Sequence, residues 1–215
     1  MRRLAPLSKH KIMNQFSTKT FTIPALKGIS AKTIEEHLKL YQGYVKNANS
    51  IMAKVAEYPA KEKDDAFVPY VLGELSRRFS FEFGGIRNHE VYFASLEGGA
   101  KMISDGLLKQ KIAATWGSFD SWLESFKKTA TTTRGIGWMV LWYDPRDGAL
   151  HSAWTDEQHL GHLQGCVMIL ALDMWEHSYV ADYLPSGKKQ YVEDFFANLN
   201  WSVIEKNYEE ATKRA

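Results

Sequence analysis

The segment that most constrains this 215-residue chain is the apolar run Val167-Met168-Ile169-Leu170-Ala171-Leu172 and the residues that follow it, Asp173-Met174-Trp175-Glu176-His177. Six consecutive apolar residues of this length read as a buried strand. A carboxylate and an imidazole four residues apart, with Trp between them, stand where that strand ends. Carboxylate plus imidazole is a ligand set suited to a redox-active transition metal. An ordinary junction capped by an Asp fits the same residues equally well.

The rest of the pattern sets the fold class. Ser30 caps a helix predicted to run to about Lys54, with Ile34, Leu38, Tyr41, Val45, Ala48 and Ile51 at helical spacing. Thr33 and Glu36 fit a capping box. The charged loop Lys61-Glu62-Lys63-Asp64-Asp65 leads to a helix over 66–81. Gly84-Gly85 is expected to break it, with a further helix from Ile86 to about 100. Helices follow at 103–114 and 118–129. Residues 136–143 read as a strand, Asp144-Pro145-Arg146-Asp147-Gly148 as a turn, and 149–154 as the returning strand. Residues 167–172 make the third strand, and 191–214 a closing helix in two pieces across Asn200. The fold class is α+β: an N-terminal α-helical hairpin domain over 20–100, then a C-terminal domain over 101–215 with a three-stranded antiparallel sheet flanked by helices.

Composition narrows the chemistry. The lone Cys166 permits no disulfide within the chain and no cysteine-rich metal site, so any metal must be held by His, Asp or Glu. It also suits a reducing compartment, and the cytoplasm is the expected location. No apolar stretch reaches membrane-spanning length, so no membrane partner is expected. A net charge of +2 is too small to argue for nucleic acid. The start is unusual, because Arg2, Arg3, Lys9, Lys11, Lys19, Lys27 and Lys32 all precede the first acid, Glu35. Residues 1–19 read as a basic extension: a disordered arm, a segment upstream of an effective start at Met13, or an organellar transit segment. The last would make the mitochondrial matrix the alternative location.

Of the seven histidines, His10 belongs to the basic start and His151 to a hairpin strand. His37 shares a helix face with Tyr41, about 40° away, and Tyr44, about 20° to the other side. His89 follows Gly84-Gly85, which allow close packing of that turn, and precedes Tyr92-Phe93. Each is also compatible with ordinary packing. Together His37, His89, Asp173 and His177 make a three-His, one-Asp set that leaves a fifth position open. It suits iron or manganese, and zinc accepts the same donors.

These residues, in this order, resemble the iron/manganese superoxide dismutase family. The resemblance is carried by Asp173-Met174-Trp175-Glu176-His177 with Tyr179 and Asp182-Tyr183. It is also carried by Asn88-His89 before Tyr92-Phe93, by Gly117-Ser118-Phe119-Asp120 and by Gly135-Ile136-Gly137-Trp138. Tyr44-Val45-Lys46-Asn47-Ala48-Asn49 and Asn198-Leu199-Asn200-Trp201 complete it. It covers residues 20–210.

The resemblance implies one iron or manganese ion per chain, held by His37, His89, Asp173 and His177. It implies Trp138 and Trp175 as walls of the site and Tyr44 as the gateway phenol, with Tyr41 where the family often has His. Glu176 matches the Glu that contacts a ligand His of the partner subunit, which implies a homodimer, with a tetramer also compatible. Two positions stay open. A gapless match places Glu36 at the first ligand position, and removal of one helix residue places His37 there; His37 is preferred for its atom type. The donor to solvent on the metal, which iron-type members often take from the position of Gly85, falls instead to Gln158, with His159 as the alternative. Lys46 and Arg87 are candidate cations for drawing in a small anion.

The implied activity is ping-pong dismutation of superoxide to dioxygen and hydrogen peroxide. The competing reading is a catalytically inactive structural relative, such as a mitochondrial-ribosome component. A two-His, one-carboxylate iron oxygenase is disfavoured because no cosubstrate-binding pattern accompanies the ligands.

Overall fold

The computed structural model describes residues 15–58 and 65–213. Two long helices come first: α1 (Ala31–Glu57) and α2 (Val68–Ala94). Two shorter ones follow, α3 (Leu107–Trp116) and α4 (Phe119–Thr132). The strands β1 (Gly137–Asp144), β2 (Ala149–Asp156) and β3 (Val167–Asp173) come next, and α5 (Lys188–Asn198) and α6 (Trp201–Thr212) close the chain. Helices first, then a three-stranded antiparallel sheet flanked by helices, is the α+β arrangement the pattern predicts.

α1 forms because its apolar residues recur on one face. Ile34, Tyr41, Val45, Ala48 and Ile51 are buried along it, and His37 is buried with them. Ser30 starts the helix by accepting the Thr33 amide proton at 3.1 Å. The expected capping box of Thr33 and Glu36 is not formed, because Glu36 turns outward to Lys39 at 2.9 Å. α2 runs antiparallel to α1. Their contacts climb one helix while descending the other, from His37 on Phe93 through Tyr41 on Glu90 to Asn47 on Glu82.

α2 corrects the expected break. It passes unbroken through Gly84 and Gly85. Helix propensity disfavours glycine there by about 1 kcal/mol relative to alanine, and packing demands it. A Cβ on Gly84 would overlap the backbone oxygen of Gln158, and one on Gly85 would lie 2.6 Å from Cδ1 of Tyr44. The two glycines let the Tyr44 ring and the Gln158 loop reach the helix axis. Other boundaries move by a few residues. α2 ends at Ala94 rather than near 100, α3 begins at Leu107 rather than 103, and β2 extends to Asp156. The charged loop lies in 61–65, of which only Asp65 is among the described residues.

In the sheet β1 is central, in the order β2-β1-β3. Seven of its eight residues are buried, as expected for a strand covered on both faces. Register brings Trp138 opposite Asp173 on one side and Thr155 on the other. One continuous apolar cluster joins α1 and α2 to the sheet and the last two helices. The last part of the basic start is anchored rather than loose. The Phe16 amide donates to Asn49 Oδ1, and Asn49 Nδ2 donates back to Phe16 O, each at 2.9 Å. The Lys19 amide donates to the Tyr41 hydroxyl at 3.0 Å. Residues 1–14 lie outside the described residues.

Candidate metal centre

Four side chains from four chain segments converge where α1, α2 and the end of β3 meet. Asp173 is the last residue of β3, and one of its oxygens, Oδ1, accepts the Trp175 amide proton at 2.8 Å. Its backbone carbonyl accepts the hydroxyl of Tyr191, on α5, at 2.9 Å. The other carboxylate oxygen, Oδ2, is surrounded by three imidazoles. Nε2 of His37 lies 3.0 Å away, Nε2 of His177 3.2 Å and Nε2 of His89 3.7 Å. The potential ligand atoms of the four residues all lie within 4.8 Å of one another.

The donor chemistry of this cluster fits a cation. His89 Nδ1 sits 2.6 Å from Gly85 O, a carbonyl that can only accept, so the ring proton is on Nδ1. Nε2 then carries a lone pair, and it is buried with no hydrogen-bond partner. A ring locked by a carbonyl at one nitrogen and aimed into a polar cluster at the other is how proteins orient metal-ligating histidines. Burial pushes the His89 imidazole down to about 3, with the neighbouring His37 adding to the effect, so the ring stays neutral. Burial likewise lowers His37, against the pull of Asp173. Burial alone would raise Asp173, yet His177 and His37 hold it well below the usual carboxylate range. The result is a buried anion beside the neutral imidazoles of His37 and His89, a donor set that suits iron or manganese.

Aromatic rings enclose the cluster. Tyr92 and Phe93 flank His37 at 5.0 and 4.9 Å between centroids. Trp138 and Tyr44 flank His89 at 5.0 and 5.1 Å, and Trp175 stacks on His177 at 5.6 Å. The Trp138 indole donates to Gln158 Oε1 at 3.0 Å, and because indole is only a donor this fixes the amide with its NH2 outward. That NH2 donates to the Tyr44 hydroxyl, again at 3.0 Å. Gln158 follows Glu157, whose φ of +49° places it in the left-handed region. Left-handed backbone costs a non-glycine residue about 1–2 kcal/mol and here turns Gln158 inward.

The structure sorts the expected residues. His37, His89, Asp173 and His177 come together, and Trp138, Trp175, Tyr44 and Gln158 stand around them. Glu36 does not join them; it is 59% exposed and paired with Lys39. His159 packs on Phe81 at 5.7 Å instead of bonding Tyr44. Tyr41 stacks against His89 at 6.4 Å, but its hydroxyl is turned to Glu90 and the Lys19 amide, away from the cluster. Arg87 is neutralised by Glu90 at 2.8 Å, and Lys46 is exposed. Glu176 is exposed in the 3-10 turn Glu176–Ser178. Tyr191 and Phe81 were not foreseen. Neither carries a local signal, since their roles depend on elements distant in sequence.

Comparison with known proteins follows the same line. The family model of the C-terminal domain of iron/manganese superoxide dismutases matches residues 104–207. The superoxide dismutase [Fe] of Cupriavidus metallidurans is 39% identical over 181 residues, covering 82% of this chain and 86% of the relative. That of Aquifex aeolicus is 33% identical over 190 residues, 87% and 88% of the two chains. The superoxide dismutase [Mn] of Mycobacterium avium is 33% identical over 181 residues, 83% and 84%.

Proposed function

The chain belongs to the iron/manganese superoxide dismutase family, and we propose that it holds one iron or manganese ion between His37, His89, Asp173 and His177 and dismutates superoxide to dioxygen and hydrogen peroxide. The observation that carries this reading is the ring of three imidazole nitrogens, 3.0–3.7 Å from a single carboxylate oxygen. A metal held by His37, His89, Asp173 and His177 would supply the one-electron redox chemistry that a ping-pong dismutation needs.

The protein's residues set the conditions for that chemistry. Asp173 brings a full negative charge, which favours the more highly charged metal state. Imidazole ligates a metal as the neutral ring, so as ligands the three histidines would complete the donor set without adding charge. Peroxide formation consumes two protons, and Tyr44 is placed to hand them in from solvent. Burial raises its phenol well above the ordinary value, and the Asp173 charge raises it further, so it stays protonated at neutral pH. Its oxygen accepts from Gln158, which leaves its own proton free to be donated. Trp138 and Trp175 exclude bulk water from two sides of the cluster.

A homodimer is part of the proposal. Glu176 is exposed beside His177 and, among the described residues, has no ion-pair partner, so it is free to reach a second subunit. Ile136 and Val180, 37% and 45% exposed, lie in the adjoining segments. Sedimentation should give twice the 24.6 kDa chain mass, and a monomer would remove this part of the reading.

The test of the function is separate loading with iron and manganese, with metal quantified per chain and superoxide consumption measured. One metal ion per chain with dismutation is expected for at least one of the two metals. A folded chain that takes up neither and co-purifies with RNA would favour the inactive structural relative.

A further inference from the structure

Arg78 lies on α2, and its guanidinium carbon is 3.7 Å from the centre of the Phe81 ring. Phe81 in turn reaches three residues of the site's outer wall. Its ring is 6.0 Å from Tyr44, 5.7 Å from His159 and 6.3 Å from Trp175. Trp175 stacks on His177, whose side chain is 20% exposed, while those of His37, His89 and Asp173 are fully covered. Solvent therefore meets the cluster on the His177 side, and Tyr44, Phe81 and Trp175 form the rim there. Arg78 lies on the outer face of that rim.

Three other cations on α1 and α2 are held by carboxylates. Arg77 makes two bonds to Glu74 at 2.6 and 2.9 Å, Arg87 holds Glu90 at 2.8 Å, and Lys39 bridges Glu35 and Glu36. Arg78 is different. Among the described residues the one carboxylate within ion-pairing distance is Glu82, at a long 3.8 Å, and Glu82 also accepts from Asn47. The Arg78 side chain is 45% exposed, so its charge faces solvent at the mouth while the Phe81 ring holds it in place. Glu157 is the other acid facing this rim, and His159 feels it together with Arg78 and, more weakly, Arg77. The field of Arg78 also reaches Tyr44, where it opposes the burial-driven rise of the phenol.

We propose that Arg78 is a steering residue for the anionic substrate, a cation stacked on an aromatic shelf at the mouth of the site. It raises the local concentration of superoxide, or of any small monovalent anion, at the Tyr44–Trp175 rim. This rests on the function proposed above and assigns the steering to Arg78 rather than to Arg87, which Glu90 holds.

The experiment compares metal-loaded wild type with Arg78→Gln, Arg78→Lys and, as a control, Arg77→Gln. Two quantities are followed from about 10 mM to about 500 mM salt, a range over which screening removes long-range fields. They are kcat/KM for superoxide and the Kd for azide, a monovalent anion probe titrated by absorbance. Arg78→Gln should lower kcat/KM and weaken azide each by about two- to threefold at low salt, with the difference gone at high salt. Arg78→Lys should keep most of both, and Arg77→Gln, which removes a charge already paired with Glu74, should change either quantity by less than Arg78→Gln does. Metal content and Tm should be unchanged throughout. An Arg78→Gln protein with wild-type salt dependence and azide affinity overturns the proposal, as does a loss that persists at high salt. If metal-loaded wild type neither consumes superoxide nor binds azide, the functional reading itself falls, and the steering role with it.

Discussion

Gly85 lies against Tyr44 so closely that a Cβ at the glycine would come within 2.6 Å of the ring. One turn further along α2, His89 is fixed by its own bond to the carbonyl of that same Gly85. A single helical residue therefore seats the phenol at the mouth and orients one imidazole of the cluster. The glycine is there for close approach of a neighbour, since the helix continues through it.

Alanine substitutions at the glycine pair separate these explanations. If glycine were only a weak helix former, Gly84→Ala and Gly85→Ala would each stabilise by up to about 1 kcal/mol. Overpacking predicts the opposite sign. Gly84→Ala should destabilise by roughly 2 kcal/mol or more, because it meets the backbone of Gln158. Gly85→Ala should cost about 1–2 kcal/mol, because the Tyr44 ring has some freedom to shift. Urea unfolding measures both, and a gain in stability at either position would contradict the packing account.

The first helix offers a direct comparison. His37 is buried beside Asp173, while Glu36 is exposed beside Lys39. His37→Gln should lose bound metal and dismutation together. Glu36→Gln should keep both and change stability by less than about 0.5 kcal/mol. His177→Ala should abolish dismutation as well. Metal retained by His37→Gln but lost by Glu36→Gln would show that Glu36 is the ligand.

Alkaline pH should weaken the fold. Burial raises the phenols of Tyr44, Tyr92, Tyr183 and Tyr191 above the ordinary value of 10.0. Their contribution is fully present below pH 10, where they are protonated in both states. Above it the unfolded chain releases protons that the folded chain keeps, so stability falls as pH rises toward the folded values. The well-buried Tyr44, Tyr92 and Tyr191 each add up to about 1.4 kcal/mol per pH unit to the loss, and solvent screening makes the share of Tyr183 smaller. Urea midpoints at pH 8, 10 and 11 should decline, and less steeply in Tyr92→Phe. An identical decline in that variant would remove Tyr92 from the explanation.

Asn49 should act as a latch for the start of the described chain. Its side chain both accepts from and donates to the Phe16 backbone. Asn49→Ala should cost about 1–2 kcal/mol and speed amide exchange at Phe16 and Lys19. Unchanged exchange at those two amides would show that ring packing of Phe16 on Phe79 and Phe83 suffices.

Much of the architecture is legible from neighbouring residues alone. The face of α1, the hairpin of β1 and β2 about Asp144–Gly148, and the strand running into Asp173 all follow from local periodicity and turn chemistry. The division of the closing helix at Asn200 follows too, with α5 ending at Asn198 and α6 beginning at Trp201. The break at Gly84-Gly85 did not, because a glycine reads the same in sequence whether it ends a helix or admits a neighbour.

By itself the sequence determined the residue types of the centre and the spacing of Asp173 and His177, since both belong to one short segment whose geometry is local. Tertiary structure decided whether Glu36 or His37 faces Asp173. Adjacent helical residues point about 100° apart, and the rotation of α1 is set by its packing on α2. It also decided that Gln158 rather than His159 meets Tyr44, through the left-handed turn at Glu157. The same holds for the cations, because Arg87 meets Glu90 and Arg78 meets Phe81 only once the helices and loops are in place. Local energies fix what each segment becomes, and packing between segments fixes which side chains share a site.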